Sequence, residues 1–245
     1  MRNLFPDLSD TAVMPKRDRL RWLMIAAVAT VVLWQVPLGE YLLYPFTILA
    51  TWFHEMGHGL TAMLLGGNFQ KLVLYPNGSG VAISSGRVFG GALGHAMVSA
   101  GGPMGPPLAG AALILASRQA KTARWGLIAL GALLIASTLV WVRSLTGWLV
   151  LPLLGAAILY IALRTKVWVK VLTVQFLGVQ ACISTFHQLD YLFTYQATIG
   201  GQTMLSDTGQ ISKALLLPHW IWGSLLAIAA VLLLAKSLQL AYRDE

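Results

Sequence analysis

"FTILATWFHEMGHGLTAMLLGG", residues 46–67, sets a glutamate between two histidines inside a stretch otherwise fit to cross a lipid bilayer. A charged side chain at the centre of a membrane helix costs roughly 2.5–3.5 kcal/mol on insertion scales, so such residues usually mark function. Within "HEMGH", His54 and His58 are separated by one helical turn and share a face. Both imidazoles can then reach one metal ion while Glu55 projects beside them. That is the pattern of a zinc hydrolase. Zinc bound by neutral imidazoles lowers the pKa of its water to about 7, and a neighbouring carboxylate can take the proton and pass it to a leaving amine. The competing reading is a Glu–His hydrogen-bonded pair that holds helices together.

The whole chain has the texture of this stretch. Of its 245 residues 57% are hydrophobic and 11% charged, far from a soluble average. Apolar runs at 21–37, 41–66, 92–117, 125–142, 145–163, 167–193 and 217–236 predict an all-α polytopic membrane protein. Six to seven transmembrane helices are expected, and in a bacterium the multi-pass chain would lie in the cell membrane. The domain plan is a polar, basic N-terminal tail over 1–20 and one helical membrane domain over 21–245. The first run lacks an A-x-A cleavage site and reads as a retained span. A formal charge of +8 without a basic-aromatic surface motif points to anionic lipid as a partner and away from nucleic acid. If seven stretches cross in turn from a cytoplasmic N-terminus, nine Lys and Arg fall inside and eight outside, which selects no orientation. The single cysteine, Cys182, excludes an intrachain disulfide.

Two segments depart from plain apolar helix. Between 67 and 91, "GNFQKLVLYPNGSGVAISSG" has β-prone runs around Asn77-Gly78, and a β-hairpin is expected directly after the second helix. An open sheet edge cannot face lipid, so this hairpin must lie at the interface or against protein. It is either an ordinary solvated loop or an edge strand able to pair with an extended peptide. Further on, "SAGGPMGPPLAGA" brings Gly101, Gly102, Pro103, Gly105, Pro106 and Pro107 into an apolar run, which would break a regular helix near its start. The alternative is close helix packing through small residues.

A catalytic zinc takes three protein ligands, so one is missing from "HEMGH". The tails hold Asp7, Asp10, Asp18, Asp244 and Glu245, and Glu40 lies about 21 Å along the helix from His54. Asp190 and Asp207 remain. Each has a plainer role open to it, Asp207 as a helix N-cap beside Ser206 and Asp190 at a solvated helix end. His95, His187 and His219 read as interfacial histidines before ligands.

With these residues in view, the chain resembles the site-2 protease type of intramembrane zinc metallopeptidases, in the compact branch without a PDZ domain (peptidase M50B-like). The resemblance runs from about 46 to 225 and rests on "HEMGHGLTAMLLGG", "LVLYPNGSGV", "SAGGPMGPPLAGA" and "SDTGQISKALLLPHWIWG", in that order. It implies a metallopeptidase core over about 41–225, His54 and His58 as zinc ligands, Glu55 as general base, and a hairpin that edges the active site. Better-studied relatives take their third ligand from a Leu-Asp-Gly motif, and this chain contains no Asp-Gly. Because the ligand aspartate of those relatives precedes a helix start, the resemblance favours Asp207, with Asp190 in reserve.

The expected function is intramembrane zinc endopeptidase action on a membrane-spanning or membrane-adjacent protein or peptide. The alternative is a catalytically silent relative that binds membrane clients or metal. A membrane di-iron oxidase needs more histidines than five scattered ones. A transporter would show a second, matching broken span.

Overall fold

The computed structural model describes residues 15–187 and 189–243. Its elements in chain order are α1 (Lys16–Leu33), α2 (Gly39–Leu64), β1 (Asn68–Leu74), β2 (Gly80–Ser85), α3 (Gly91–Ala116), α4 (Ala120–Val140), α5 (Leu145–Arg164), α6 (Val167–His187), α7 (Leu189–Leu192), β3 (Gln196–Ile199), β4 (Gln202–Leu205), α8 (Asp207–Leu215) and α9 (His219–Tyr242). The seven long helices coincide with the seven apolar stretches of the sequence. Five of them, α3, α4, α5, α6 and α9, are long and apolar enough to cross a membrane. The protein is an all-α multi-pass membrane protein. α1 starts at Lys16, inside the stretch expected to be tail, and residues 1–14 lie outside the described residues. The last part of the 167–193 stretch is not one span, since α6 ends at His187 and the single turn of α7 follows.

Contacts fix the direction of each helix. α2 and α3 run antiparallel, with Phe53 O against Gly105, Gly57 against Gly101, and Phe89 N donating to Leu65 O. α3 and α6 also run antiparallel, Ile114 meeting Gly178 while Pro106 lies by Thr185. α4 and α5 form a third antiparallel pair around Gly131 and Gly155. A methyl group at Gly57, Gly101 or Gly105 would overlap backbone of the facing helix, so glycine sets how closely α2 and α3 approach. Of the two readings of the Gly/Pro run in α3, close packing holds and the break does not occur. The helix continues through Pro103, Pro106 and Pro107, and its small residues serve packing.

The expected hairpin forms, β1 antiparallel to β2. Its turn is a three-residue loop in which Gly78 N bonds Tyr75 O, and Gly78 takes φ +86° where a side chain would be strained. The hairpin folds back along α2. Thr51 Oγ1 donates to Gly78 O at 2.6 Å, and Phe69 packs on Gly59. The outer edge of β1 is closed by the α4–α5 turn, through Leu72 N to Trp141 O (2.8 Å) and Arg143 N to Leu72 O (2.9 Å). Trp141 stacks on Phe69, 5.1 Å between ring centres. The protein thus covers one sheet edge with its own backbone, and the outer edge of β2 is the one that lines a cleft. A second hairpin, β3 with β4, was not anticipated. Its signal was present in Gly200-Gly201, both at positive φ, the dipeptide of a tight hairpin turn.

Candidate active site

α2 brings His54, Glu55 and His58 into the interior, with His54 and Glu55 buried and His58 partly so. Thr51 and Gly80 flank Glu55, and the absence of a side chain at Gly80 lets β2 lie against the glutamate Cγ. His58 Nδ1 meets Val98 O at 2.8 Å. A ring nitrogen facing a carbonyl carries a proton, so Nε2, turned to the opposite side, is the His58 atom that can meet a partner there.

On that side stands Asp207. Its Oδ1 lies 3.1 Å from His58 Nε2 and its Oδ2 2.9 Å from His54 Nε2. Asp207 does not cap its helix. Ser206 does, its Oγ accepting from Gly209 N at 3.0 Å, so the carboxylate at the first position of α8 is free to face α2. Burial disfavours the Asp207 anion, but His58 and His54 outweigh it with charge and hydrogen bonds and hold the carboxyl well below the usual range. The helix N-terminus behind it acts in the same sense.

One ligand atom from each of His54, His58 and Asp207 lies within 4.8 Å of the other two. Two imidazole nitrogens and a carboxylate oxygen are a donor set that suits a zinc ion. Gly102 of α3 forms the wall beside them. A Cβ there would overlap His58 Nε2 and come within 2.7 Å of His54 Nε2, so glycine keeps the space between the rings open. The residues present therefore fit a metal ion.

The other sequence candidates stand elsewhere. Asp190, on α7, is exposed and outside this cluster. His95 is exposed and lines the cleft. His219 Nε2 meets Phe193 O at 3.1 Å. The side chain of His187 lies outside the described residues. Tyr191 went unnoticed in the sequence, where it is one tyrosine among seven. Its ring sits 6.1 Å from that of His54. Burial, with the Asp207 and Glu55 carboxylates, pushes its phenol up, so it stays protonated and able to donate.

A cleft opens over this cluster in two lobes of about 270 Å³ and 290 Å³, which share His54, Glu55, Gly80, Tyr191 and Ile199. The two hairpins form its sides, β2 on one and β3–β4 on the other. The tip of the second hairpin closes against the first where Gly200 packs on the Tyr75 ring.

The family model described as Peptidase M50B-like matches residues 23–237. No curated protein and no solved structure matches the chain.

Proposed function

The chain belongs to the Peptidase M50B-like family, and from that premise we propose that it is a zinc-dependent intramembrane endopeptidase acting on membrane-spanning or membrane-adjacent polypeptides. The observation that carries the reading is the convergence of Asp207 on His54 and His58, beside Glu55, in a cleft edged by β2. His54 Nε2, His58 Nε2 and one Asp207 oxygen would hold the ion. Zinc, when bound there, supplies Lewis acidity toward a carbonyl and makes water easier to deprotonate.

The remaining work belongs to the chain's own groups. Glu55 takes a proton from the attacking water as the C–O bond forms and the carbonyl π pair moves onto oxygen; it then delivers that proton to the amide nitrogen as the C–N bond breaks and the carbonyl re-forms. Tyr191, protonated and at the junction of the two lobes, is placed to donate to oxygen at the reacting carbon. The outer edge of β2 offers main-chain hydrogen bonds to an extended peptide. Such pairing holds a substrate straight without reading its sequence. An intact helix hides its amide bonds in its own ladder, so the substrate must be unwound locally before it can lie in this cleft.

The test is Glu55→Gln in the purified protein reconstituted with a membrane-peptide substrate. Hydrolysis should fall by about 10²–10⁴-fold, the usual worth of a positioned acid-base group, with metal content unchanged. Undiminished cleavage would remove Glu55 as the base. A wild-type protein that binds zinc but cleaves no peptide would favour the silent, client-binding alternative.

A further inference from the structure

The cleft does not end at Glu55. Counting back along α2 from that residue, Thr51, Thr47, Tyr44 and Glu40 recur at helical spacing, so a stripe of polar-tipped side chains runs down one face of the helix. Between them stand apolar residues such as Leu43, Phe46 and Ile48. Polar side chains are costly at membrane depth, and those that persist there usually line a path for something polar.

The cavities follow the stripe. The lobe that holds Glu55 and Tyr191 reaches Thr47 and Asn77, and the same two residues border a third chamber of about 450 Å³. Trp34, Glu40, Tyr41 and Tyr44 line that chamber. No lysine or arginine lines either one, although the chain carries 17 Lys and Arg against nine acids. A carboxylate set among three aromatic side chains is suited to a cation, which gains from the opposite charge and from the ring faces together. Aromatic rings at a helix start also anchor a protein at the membrane interface. Anchoring, however, needs no carboxylate in a chamber continuous with the catalytic cleft.

We propose that this chamber is a subsite for a lysine or arginine side chain of the client polypeptide. The inference rests on the peptidase reading and adds a preference to it. Main-chain pairing along β2 is indifferent to sequence, whereas Glu40 is not. Glu40 and Glu55 are separated by about 22 Å of helix, a distance that extended chain covers in about six or seven residues. A client is therefore favoured when it carries a cation about that far from the bond to be cut.

The test uses the full chain in detergent micelles and a set of fluorescent membrane peptides. One lysine is moved from about four to about nine residues from the cut, on either side, with glutamine in its place as the reference. At the best position lysine should raise kcat/KM about tenfold over glutamine. The Glu55→Gln protein, read by fluorescence anisotropy, should bind the two peptides with a similar ratio and no hydrolysis. Glu40→Gln should bring both ratios to about one, and Glu40→Lys should make glutamate the favoured residue at the same position, an inversion that a merely structural role would not produce. Equal handling of lysine and glutamine at every position, or a lysine preference that persists in both Glu40 variants, would overturn the inference. So would Glu40-dependent binding of an acyl-labelled phosphatidylethanolamine without any peptide preference, which would give the chamber to a lipid amine. Glu40-dependent lysine preference in binding, with no cleavage by the wild type, would sink the peptidase reading and leave the subsite standing.

Discussion

The two hairpins that flank the cleft are built on opposite principles. β1–β2 is tied along its length. Its tip is held to α2 by Thr51, its outer edge is laddered to the α4–α5 turn, and its base is stacked beneath Trp141. β3–β4 is held at its two extremities. Ser206 N bonds Tyr195 O and Ser206 Oγ bonds Thr194 O at the base, and Gly200 meets Tyr75 at the tip. The first makes a fixed wall beside Glu55. The second leads directly into Asp207, so its anchorage sets where the third candidate ligand stands.

If that division is right, substitutions on the Asp207 side should act on metal and those on the β1–β2 side on substrate. Asp207→Ala should have the largest effect. Metal content should fall from about one ion per chain to near zero, and activity by more than the ~10–100-fold typical of losing a supporting residue. Asp190→Ala, on the exposed turn of α7, should leave both unchanged. Metal analysis of the two purified variants decides between the aspartates, and retained metal in Asp207→Ala would end the three-ligand reading.

Gly102→Ala should come next, since its methyl group would intrude on both imidazoles. A drop in zinc affinity of about 10–100-fold is expected, read by competition with a chelator. Ser206→Ala removes the cap of α8 at a cost of about 1 kcal/mol. If that loss falls on the metal-bound geometry, zinc affinity drops about fivefold while the KM of a peptide substrate is unaffected. Thr51→Val should be the smallest and of the other kind. It deprives Gly78 O of its partner and should raise KM with kcat and metal content unchanged, with a stability loss of about 1 kcal/mol by thermal unfolding in detergent. If Thr51→Val lowers metal content instead, the two sides of the cleft are not separable.

The difference between the hairpins also explains what could be read in advance. β1–β2 follows a membrane helix, has β-prone runs on both sides of its turn, and carries Asn-Gly there, so its existence is a local matter. β3–β4 carries an equally local signal in Gly200-Gly201, but its strands have only four residues each, too short to stand out as a pattern. The proline-rich run in α3 left a break and close packing both open for a related reason. Proline disfavours a helix locally, whereas the close fit of Gly101 and Gly105 against α2 depends on a helix remote in sequence.

The sequence by itself determined the membrane class, the positions of the long helices, the face shared by His54 and His58, and a list of two aspartates for the missing donor. Each of these rests on composition or on periodicity within one element. The tertiary structure decided which aspartate meets the histidines, because Asp207 reaches His54 across 153 positions of chain and no local pattern records such a contact.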